Sequence, residues 1–474
     1  MNTEEQIQIL KSQLAERDEL IDEIVDRNFK YLEKIDELEK IIKELHNIIN
    51  TFTGKKPPKN SANSNLPPSS DIFRTDKRRS RRVKSKRKAG GQKGHKGHHL
   101  KFSDDPDQVI NHLPASCLDC GSKLNQGLAQ LYASRQVLDL PPPPKPIVFQ
   151  HNIFAIPCKC GCLTRSVFPS HVNSPVQYGP RIRALINYCS VRQFIPFDRM
   201  VELLNDCFNI SMSKGTIANT LKRSADKAGC VYQQIKQQIL KAKVLGSDET
   251  SLFVNGVRKV LWVWQNKSLT YLKVADSRSA RHISEEFPGG FPNAVLISDQ
   301  YAAQLNTPAK AHQSCFAHID RKLIYLLEIQ NSKWVKNIRA LFYHAIELKK
   351  QQGYFKRKSK RTREIEQQLN HLLLKKMHYK THPEVIKMQQ SLKKHRDSLL
   401  TFLFHKDVPP DNNTSEQAIR CLKVKMKISG GFKSLQQQFA IMRSIIDTAI
   451  KNDRNIFNIL IDIEKGHKVE LCNF

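Results

Sequence analysis

Apolar residues recur with a regular 3,4 spacing along residues 7–52, beginning at Ile7 and Leu10. Twelve of the fourteen positions in this repeat are apolar, with mostly Ile at the first position and largely Leu at the second. The pattern predicts a coiled coil and favours a parallel dimer, in which Asn28 fixes the register of the two helices. A long helix packed on its own chain is the alternative.

Between residues 243 and 298 the pattern changes to short runs that suit a sheet. It predicts strands at Val244–Phe253, Lys259–Gln265, Thr270–Ala275 and Ala294–Ser298, with a helix at Ala280–Phe287. Asn255-Gly256 between the first two strands suits a tight hairpin turn. Three strands joined by short turns, then a helical crossover to a fourth strand, are the opening of a ribonuclease-H-like α/β fold.

Helical spacing predicts further helices at Arg181–Arg192 and Asp198–Phe208, and a third that starts after the N-cap Ser213 and runs to about Ala228. The turn at 209–212 gives two of them the form of a helix-turn-helix, although a helical lead-in packed on the next domain is an equal alternative. Residues 320–405 predict a basic helical insertion. An ordinary solvated helical hairpin is the alternative there.

The fold class that follows is multidomain α+β, with its parts in a clear order along the chain. We expect a leucine-zipper coiled coil (1–53), a basic disordered linker (54–105), a zinc-binding β module (106–172) and a helical DNA-binding or lead-in region (173–242). A ribonuclease-H-like catalytic domain (243–434), with its insertion at about 322–405, and a C-terminal helical region (435–474) complete the list.

The charge pattern indicates a polyanionic partner. The formal net charge is +32, and nucleic acid is the commonest partner of so basic a chain. Residues 1–53 carry thirteen acidic and seven basic residues, so the excess lies in the rest of the chain. A run from Lys77 to Lys96 holds eleven Lys or Arg, and we expect phosphate contacts from Arg78, Arg79, Arg81 and Arg82. A solvated tail or a localisation signal is the alternative for this run.

The eleven cysteines indicate a metal site rather than disulfides. No run of eighteen apolar residues and no N-terminal apolar segment is present, so we expect a cytoplasmic protein, with reduced thiols and no membrane partner. Cys117-x-x-Cys120-Gly is followed by Cys158-x-Cys160-Gly-Cys162. Two thiolates on each of two turns predict a structural zinc ion held by Cys117, Cys120, Cys158 and Cys160, with Cys162 as the alternative fourth ligand. Thiols without metal in a small β domain are the other interpretation.

Three carboxylates are candidates for the chemistry. Asp248 falls within the first predicted strand, Asp299 ends the fourth, and Glu416 lies on a helix predicted to start after the loop 409–414. If they converge, they can hold two divalent metal ions that polarise a phosphodiester. Glu249 should face the opposite side of its strand and only support the site. Asn412 and Asn413 precede the helix, and we expect them to cap it, with a contact to backbone as the alternative.

The chain resembles the DDE transposases of the insertion sequence 66 family. The matching segments are GGQKGHKGH (90–98), the CLDCG and CKCGC clusters, YGPRIRALINY (178–188), SKGTIANTL (213–221), SDET (247–250), LISDQYAA (296–303), HQSCFAHIDRKL (312–323) and DNNTSEQAIRCLKVKMKISGGFKS (411–434). The resemblance implies that Asp248, Asp299 and Glu416 are the catalytic triad, with Lys423 near the family's downstream basic position. His318 and Arg321 match a family motif to which we assign no role from the sequence.

The resemblance also implies the reaction. Two Mg²⁺ or Mn²⁺ ions would activate water to free a 3′-hydroxyl at each transposon end, and then activate that hydroxyl to attack target DNA. We expect contacts to DNA from Lys214, Arg420, Lys423 and Lys427, and a bacterial, nucleoid-associated protein that acts as a dimer or higher oligomer with accessory proteins of its element. The alternatives are a catalytically inactive DNA-binding regulator and a structure-specific nuclease of the same fold.

Overall fold

A computed structural model describes residues 100–169, 171–355 and 359–471, together with isolated positions between 31 and 94. The coiled-coil and basic-linker predictions therefore fall almost entirely outside the described residues, as do Arg78, Arg79, Arg81 and Arg82. The described positions between 31 and 45 are helical. Among them Ile35, Leu38 and Ile42, which belong to the predicted seam, leave about half of their surface exposed.

Contacts within the chain divide it into two compact units. One contains residues 1–75, 151–200 and 213–474, and the other contains 76–150 and 201–212. The boundary falls inside the predicted zinc module, so Cys117 and Cys120 belong to one unit and Cys158, Cys160 and Cys162 to the other. No helix in the described part of the chain has the length and hydrophobicity needed to cross a membrane.

Helices are the commonest secondary structure in the described part of the chain. In chain order they are α1 (Pro180–Asn187), α2 (Phe197–Phe208), α3 (Lys214–Lys227), α4 (Gly229–Lys241), α5 (Arg281–Glu286), α6 (Ala302–Leu305), α7 (Phe316–Ile329), α8 (Lys333–Gln352), α9 (Lys360–Leu374), α10 (Pro383–Lys394), α11 (Thr401–Phe404), α12 (Asn413–Ser429), α13 (Gln436–Lys451) and α14 (Ile456–Lys465). Short 3-10 turns occur at Gln126–Leu128 and Arg396–Ser398, and α1 continues into a π-helical segment at Tyr188–Arg192. Ser213 caps α3 as predicted, because its side chain accepts a hydrogen bond from Thr216 N.

Two sheets organise the strands. A small antiparallel pair joins β1 (Ala155–Pro157) to β2 (Leu163–Arg165). The main sheet contains β3 (Val244–Val254), β4 (Val257–Gln265), β5 (Thr270–Ala275), β6 (Phe291–Ser298) and β7 (Ala309–Ser314) in the order β5-β4-β3-β6-β7. The first three strands are antiparallel neighbours, whereas β3, β6 and β7 run parallel. The chain thus combines helices with a mixed sheet, and four of the five strands lie where the sequence predicts them.

The turn between β3 and β4 follows from its sequence. Asn255 and Gly256 both have positive φ angles, 47° and 77°. Such a turn matches the twist of the flanking strands, and Asn followed by Gly adopts it with little strain. The nine-residue register from Gly246↔Gln265 to Val254↔Val257 then leaves no bulge between the two strands.

Helix α13 covers the edge of the sheet that β5 forms. Leu272 N on β5 donates a hydrogen bond to Ser444 Oγ at 2.9 Å, and Thr270 N donates to Thr448 Oγ1 at 3.1 Å. Both hydroxyls are buried. Because the helix supplies partners for these strand amides, β5 does not present an open edge to another chain at this point.

The helical insertion shares a core with the sheet. Val295 and Ile297 of β6 belong to the same buried cluster as Leu323 of α7, Ile338 of α8 and Leu369 of α9. Trp334 Nε1 donates to Leu372 O at 2.8 Å, so even the buried indole of this core has a partner. The insertion is therefore packed into the fold around β6 rather than attached to it by a surface loop alone.

Candidate active site

The parallel pairing of β3 and β6 places two of the predicted carboxylates at the same level of the sheet. The last paired residues are Gly246 on β3 and Ile297 on β6. Asp248 lies two residues after Gly246, within the continuing strand β3, and Asp299 lies two residues after Ile297, just past the carboxyl end of β6. Sites in sheets of this kind form at that edge, because the loops that leave the strands converge there.

Gly246 lets the third carboxylate approach. A Cβ atom at this position would meet Ser415 Oγ at 2.4 Å, Asn412 Oδ1 at 2.5 Å and Gln265 Nε2 at 2.7 Å. The first turn of α12, which carries Glu416, therefore packs directly on the backbone of β3. A glycine is needed because no side-chain atom fits between the strand and the helix.

Buried hydrogen bonds fix this contact. Asn412 Nδ2 donates to Ser247 O at 2.7 Å, and Ser415 Oγ donates to Asn412 Oδ1 at 2.6 Å. Gln265 Nε2 on β4 donates to Thr414 Oγ1 at 2.7 Å. Asn412 occupies the N-cap position of α12, as expected, but its side chain accepts no hydrogen bond from an N–H of the helix. Its amide instead bridges the helix to the strand, because both of its polar ends find partners there.

Asp248 lies among other carboxyl groups. Its pKa is raised well above the ordinary value, first by burial and then by the charge of Glu249, with further contributions from Asp299 and Glu416. The Glu249 N–H, which donates to Asp248 Oδ1 at 2.8 Å, opposes the rise. Asp248 thus lies within range of the charges of both Asp299 and Glu416. Buried carboxylates that repel one another are a favourable environment for a cation.

Asp299 has its own set of partners. Burial raises its pKa, while the Tyr301 N–H at 3.0 Å, Arg278 and Lys322 favour the charged form. Neither Arg278 nor Lys322 was predicted from the sequence to lie at the site. Arg278 follows β5 and Lys322 lies on α7, in segments whose polarity resembles that of any surface loop or helix.

Glu416 is held by a cation from the insertion. Arg321 Nη2 donates to Glu416 Oε1 at 3.2 Å, and His318 Nε2 lies 3.7 Å from the same oxygen. Burial and the charges of Arg321 and Lys322 lower the pKa of His318 to about 3. His318 is therefore neutral near pH 7, and Arg321 supplies the countercharge. Among the residues that the structure describes, no three His, Cys, Asp or Glu side chains lie close enough together to hold one metal ion.

Glu249 faces the side of β3 opposite to α12. It forms an ion pair with Arg278, and Gln304 Nε2 donates to its Oε2 at 2.9 Å. Arg278 stacks 4.4 Å above the centre of the Tyr301 ring, and Tyr301 Oη donates to the Arg278 carbonyl at 2.8 Å. This cluster surrounds the loop that carries Asp299, so Glu249 influences the site from the face of β3 opposite to α12.

The predicted basic residues have different surroundings. Lys423 lies near enough to Asp248 and Arg258 that both charges influence its pKa, which burial lowers. Arg420 and Lys427 are exposed on α12. Lys214 forms an exposed ion pair with Asp198 at 2.6 Å, in the same unit as the sheet.

The cysteine segments form two similar turns. Gly121 N donates to Cys117 O at 3.0 Å and Gly161 N donates to Cys158 O at 2.9 Å. Both glycines have positive φ, 74° and 87°. Hydrogen bonds from Ser122 and from the neighbouring Cys117 thiol lower the pKa of Cys120 to about 7. These turns suit thiolate ligands, and the zinc site remains a prediction.

Comparison with known families identifies two segments. The model of the transposase IS66 family matches residues 175–438, which include the sheet, the insertion and all three carboxylates. A family of unknown function (DUF6444) matches residues 4–101, the region of the predicted coiled coil and basic linker. No curated protein matches the chain.

Proposed function

Since the chain belongs to the transposase IS66 family, we propose that it cuts DNA at the ends of an insertion sequence and joins the freed 3′ ends to target DNA. The observation that supports this most directly is the electrostatic coupling of Asp248 to both Asp299 and Glu416. These residues come from two adjacent parallel strands and a helix that docks on one of them, so residues far apart in the chain contribute to a single site.

The catalytic domain is proposed to be ribonuclease-H-like. Three antiparallel strands followed by two parallel strands, in the order β5-β4-β3-β6-β7, support this assignment. The acidic residues lie at the carboxyl end of the parallel part, where loops leave space for a substrate.

Asp248, Asp299 and Glu416 would hold the metal. They offer only carboxylate oxygens, the ligands that Mg²⁺ and Mn²⁺ prefer, and burial together with neighbouring negative charge raises the pKa of Asp248. Two such ions would polarise the phosphodiester and stabilise the charge on the attacking and leaving oxygens.

Arg321 is proposed to position Glu416. In the free protein its guanidinium holds the Glu416 carboxylate at 3.2 Å. A DNA phosphate offers the same guanidinium an alternative anion, and bidentate contacts of this kind are strong. Entry of DNA would therefore release Glu416 toward Asp248 while Arg321 binds the backbone. Lys423, Arg420 and Lys427, which lie with Glu416 on α12, would extend this contact along the DNA strand.

The remaining parts are proposed to bring DNA and a second subunit to the site. The predicted coiled coil would join two chains, the basic linker with Arg78, Arg79, Arg81 and Arg82 would contact phosphates, and the helices around Lys214 would help to read the ends. Cys117, Cys120 and Cys160, with Cys158 or Cys162, would hold a structural zinc ion. The protein is also proposed to act together with accessory proteins of the same element.

The test is an end-joining assay with the DNA that borders the gene placed on either side of a marker. Asp248→Asn, Asp299→Asn and Glu416→Gln keep the shape of each side chain and remove its charge. Each should lower cleavage at least 100-fold in Mg²⁺ or Mn²⁺, since loss of a metal ligand costs about 3 kcal/mol or more of transition-state stabilisation.

Asp276→Asn is the matched control. Asp276 forms an exposed ion pair with Lys259 away from the three carboxylates, so this variant should cut normally. Normal joining by Asp248→Asn would refute the assignment. Binding of the ends without cleavage in any divalent metal would instead favour an inactive regulator, and cleavage of branched DNA without end preference would favour a nuclease.

A further inference from the structure

A cleft of about 520 Å³ opens at the end of the sheet opposite to the carboxylates. Its apolar floor contains Val244, Val295 and Val408, near the first residues of β3 and β6. Asn293 of β6 lines it, six residues before Asp299. At about 3.3 Å per residue, the cleft lies roughly 20 Å from the candidate active site.

Four lysines converge on this cleft from separate segments. Lys241 ends α4, Lys243 precedes β3, Lys310 lies on β7 and Lys406 follows α11. All four side chains are exposed, and none has a carboxylate within 4 Å in the described part of the chain. A single unpaired lysine at the surface is common and indicates no ligand. Four unpaired lysines from different segments around one concavity indicate an anionic ligand.

The cleft is built on a fixed loop. Lys349 of α8 donates hydrogen bonds to Phe402 O at 2.6 Å and to His405 O. These contacts hold the segment that carries Lys406. Asp407 is the one carboxylate that lines the cleft, and it lies 3.8 Å from Lys267 in an exposed ion pair. The balance of charge around the cleft is therefore positive.

We propose that this cleft binds the phosphate backbone of duplex DNA at a distance from the cutting site. Several separated ammonium groups around one cleft suit a repeating phosphate chain, because each lysine acts as a point charge without needing a particular base. Successive base pairs are spaced by about 3.4 Å, so 20 Å corresponds to roughly six base pairs of duplex between this contact and the carboxylates. The inference rests on the DNA-binding part of the proposed function and is independent of the metal chemistry.

The experiment compares two full-length triple variants. Lys243→Gln/Lys310→Gln/Lys406→Gln removes three charges from the cleft. The control Lys376→Gln/Lys393→Gln/Lys465→Gln removes three exposed lysines elsewhere. Binding to a 40-base-pair duplex is measured without divalent metal over a range of salt concentrations. The cleft variant should bind at least about tenfold more weakly at 0.1 M salt, and the slope of log K against log salt should become shallower by about 2.7.

A second readout locates the contact. Lysine acetylation of the wild-type protein, with and without duplex, should show protection at Lys243, Lys310 and Lys406, and none at Lys376 or Lys393. Equal binding by both triple variants, or acetylation of the cleft lysines that DNA leaves unchanged, would overturn the inference while leaving the proposed function intact. Protection by a mononucleotide as strong as by duplex would identify a small-anion site and overturn it as well. Wild-type protein that binds no duplex would overturn both proposals.

Discussion

Gly246→Ala tests whether α12 delivers Glu416 to the sheet. The new Cβ would lie 2.4 Å from Ser415 Oγ, whereas ordinary contact begins at 3.4 Å, so the helix must move back by about 1 Å. Overpacking of this kind costs about 1–3 kcal/mol. The buried hydrogen bonds from Asn412 to Ser247 and from Ser415 to Asn412 add about 1 kcal/mol each if they break. We expect a loss of about 3 kcal/mol in the free energy of unfolding.

The same displacement should affect cleavage more than it affects binding. Misplacing a catalytic group by about 1 Å lowers a rate by about 100-fold, while the exposed cations of α12 still reach DNA. Urea unfolding can be followed through the three tryptophans, Trp262, Trp264 and Trp334, since all are buried. Cleavage and duplex binding are measured on the same preparation below the unfolding transition.

Gly229→Ala is the matched control for this variant. Gly229 begins α4, and a Cβ there would have no neighbour within 4 Å. Its stability should stay the same or rise slightly, because alanine favours a helix over glycine. If Gly246→Ala unfolds at the wild-type urea concentration and cuts at the wild-type rate, α12 does not pack on β3 as described and the shared site is wrong.

Three further predictions follow from other contacts. Arg321→Ala should lower cleavage at least tenfold more than it lowers duplex affinity in gel-shift assays, because it removes one phosphate contact and also the partner of Glu416, and equal losses in both would refute a role in positioning Glu416. Lys425→Met should stabilise the protein by about 1–3 kcal/mol at pH 7, because burial between two phenyl rings lowers the pKa of Lys425 to about 8. The unfolded chain keeps this proton up to about pH 10.4, so the free energy of unfolding of the wild-type protein should rise from pH 8 to 10 until it approaches that of the variant. Urea titrations measure both, and a stability difference between the two proteins that stays constant with pH would contradict the prediction. Glu464→Gln should destabilise the protein by about 3–5 kcal/mol in the same assay, because this buried carboxylate neutralises Arg183 at 2.7 Å and a lysine at 3.1 Å, and unchanged stability would show that the ion pairs contribute nothing.

Local patterns in the sequence were enough to predict most strands and helices. The Asn255-Gly256 turn and the alternating residues around it specify the hairpin without help from the rest of the chain. Strand β7, with the sequence Ala309–Ser314, carries no such signal. It becomes a strand because β6 offers it a parallel edge, a tertiary effect that overrides weak β propensity.

The pairing of distant charged groups could not be read in the same way. The sequence gives no reason for Arg321 to meet Glu416, 95 residues later, or for Arg278 to meet Glu249. Such contacts depend on how helices pack across the sheet. The side chain of Asn412 was predicted to cap its helix for a similar reason, since capping is the local option and the carbonyl of Ser247 becomes available only in the folded protein.

The shared packing of Val295 and Ile297 with the insertion helices couples the position of those helices to that of strand β6. DNA that presses on the outer surface of α8 or α9 would push, through close-packed side chains, on the strand that ends at Asp299. Trimming the insertion would therefore remove the covering from one side of β6 and loosen the aspartate that follows this strand.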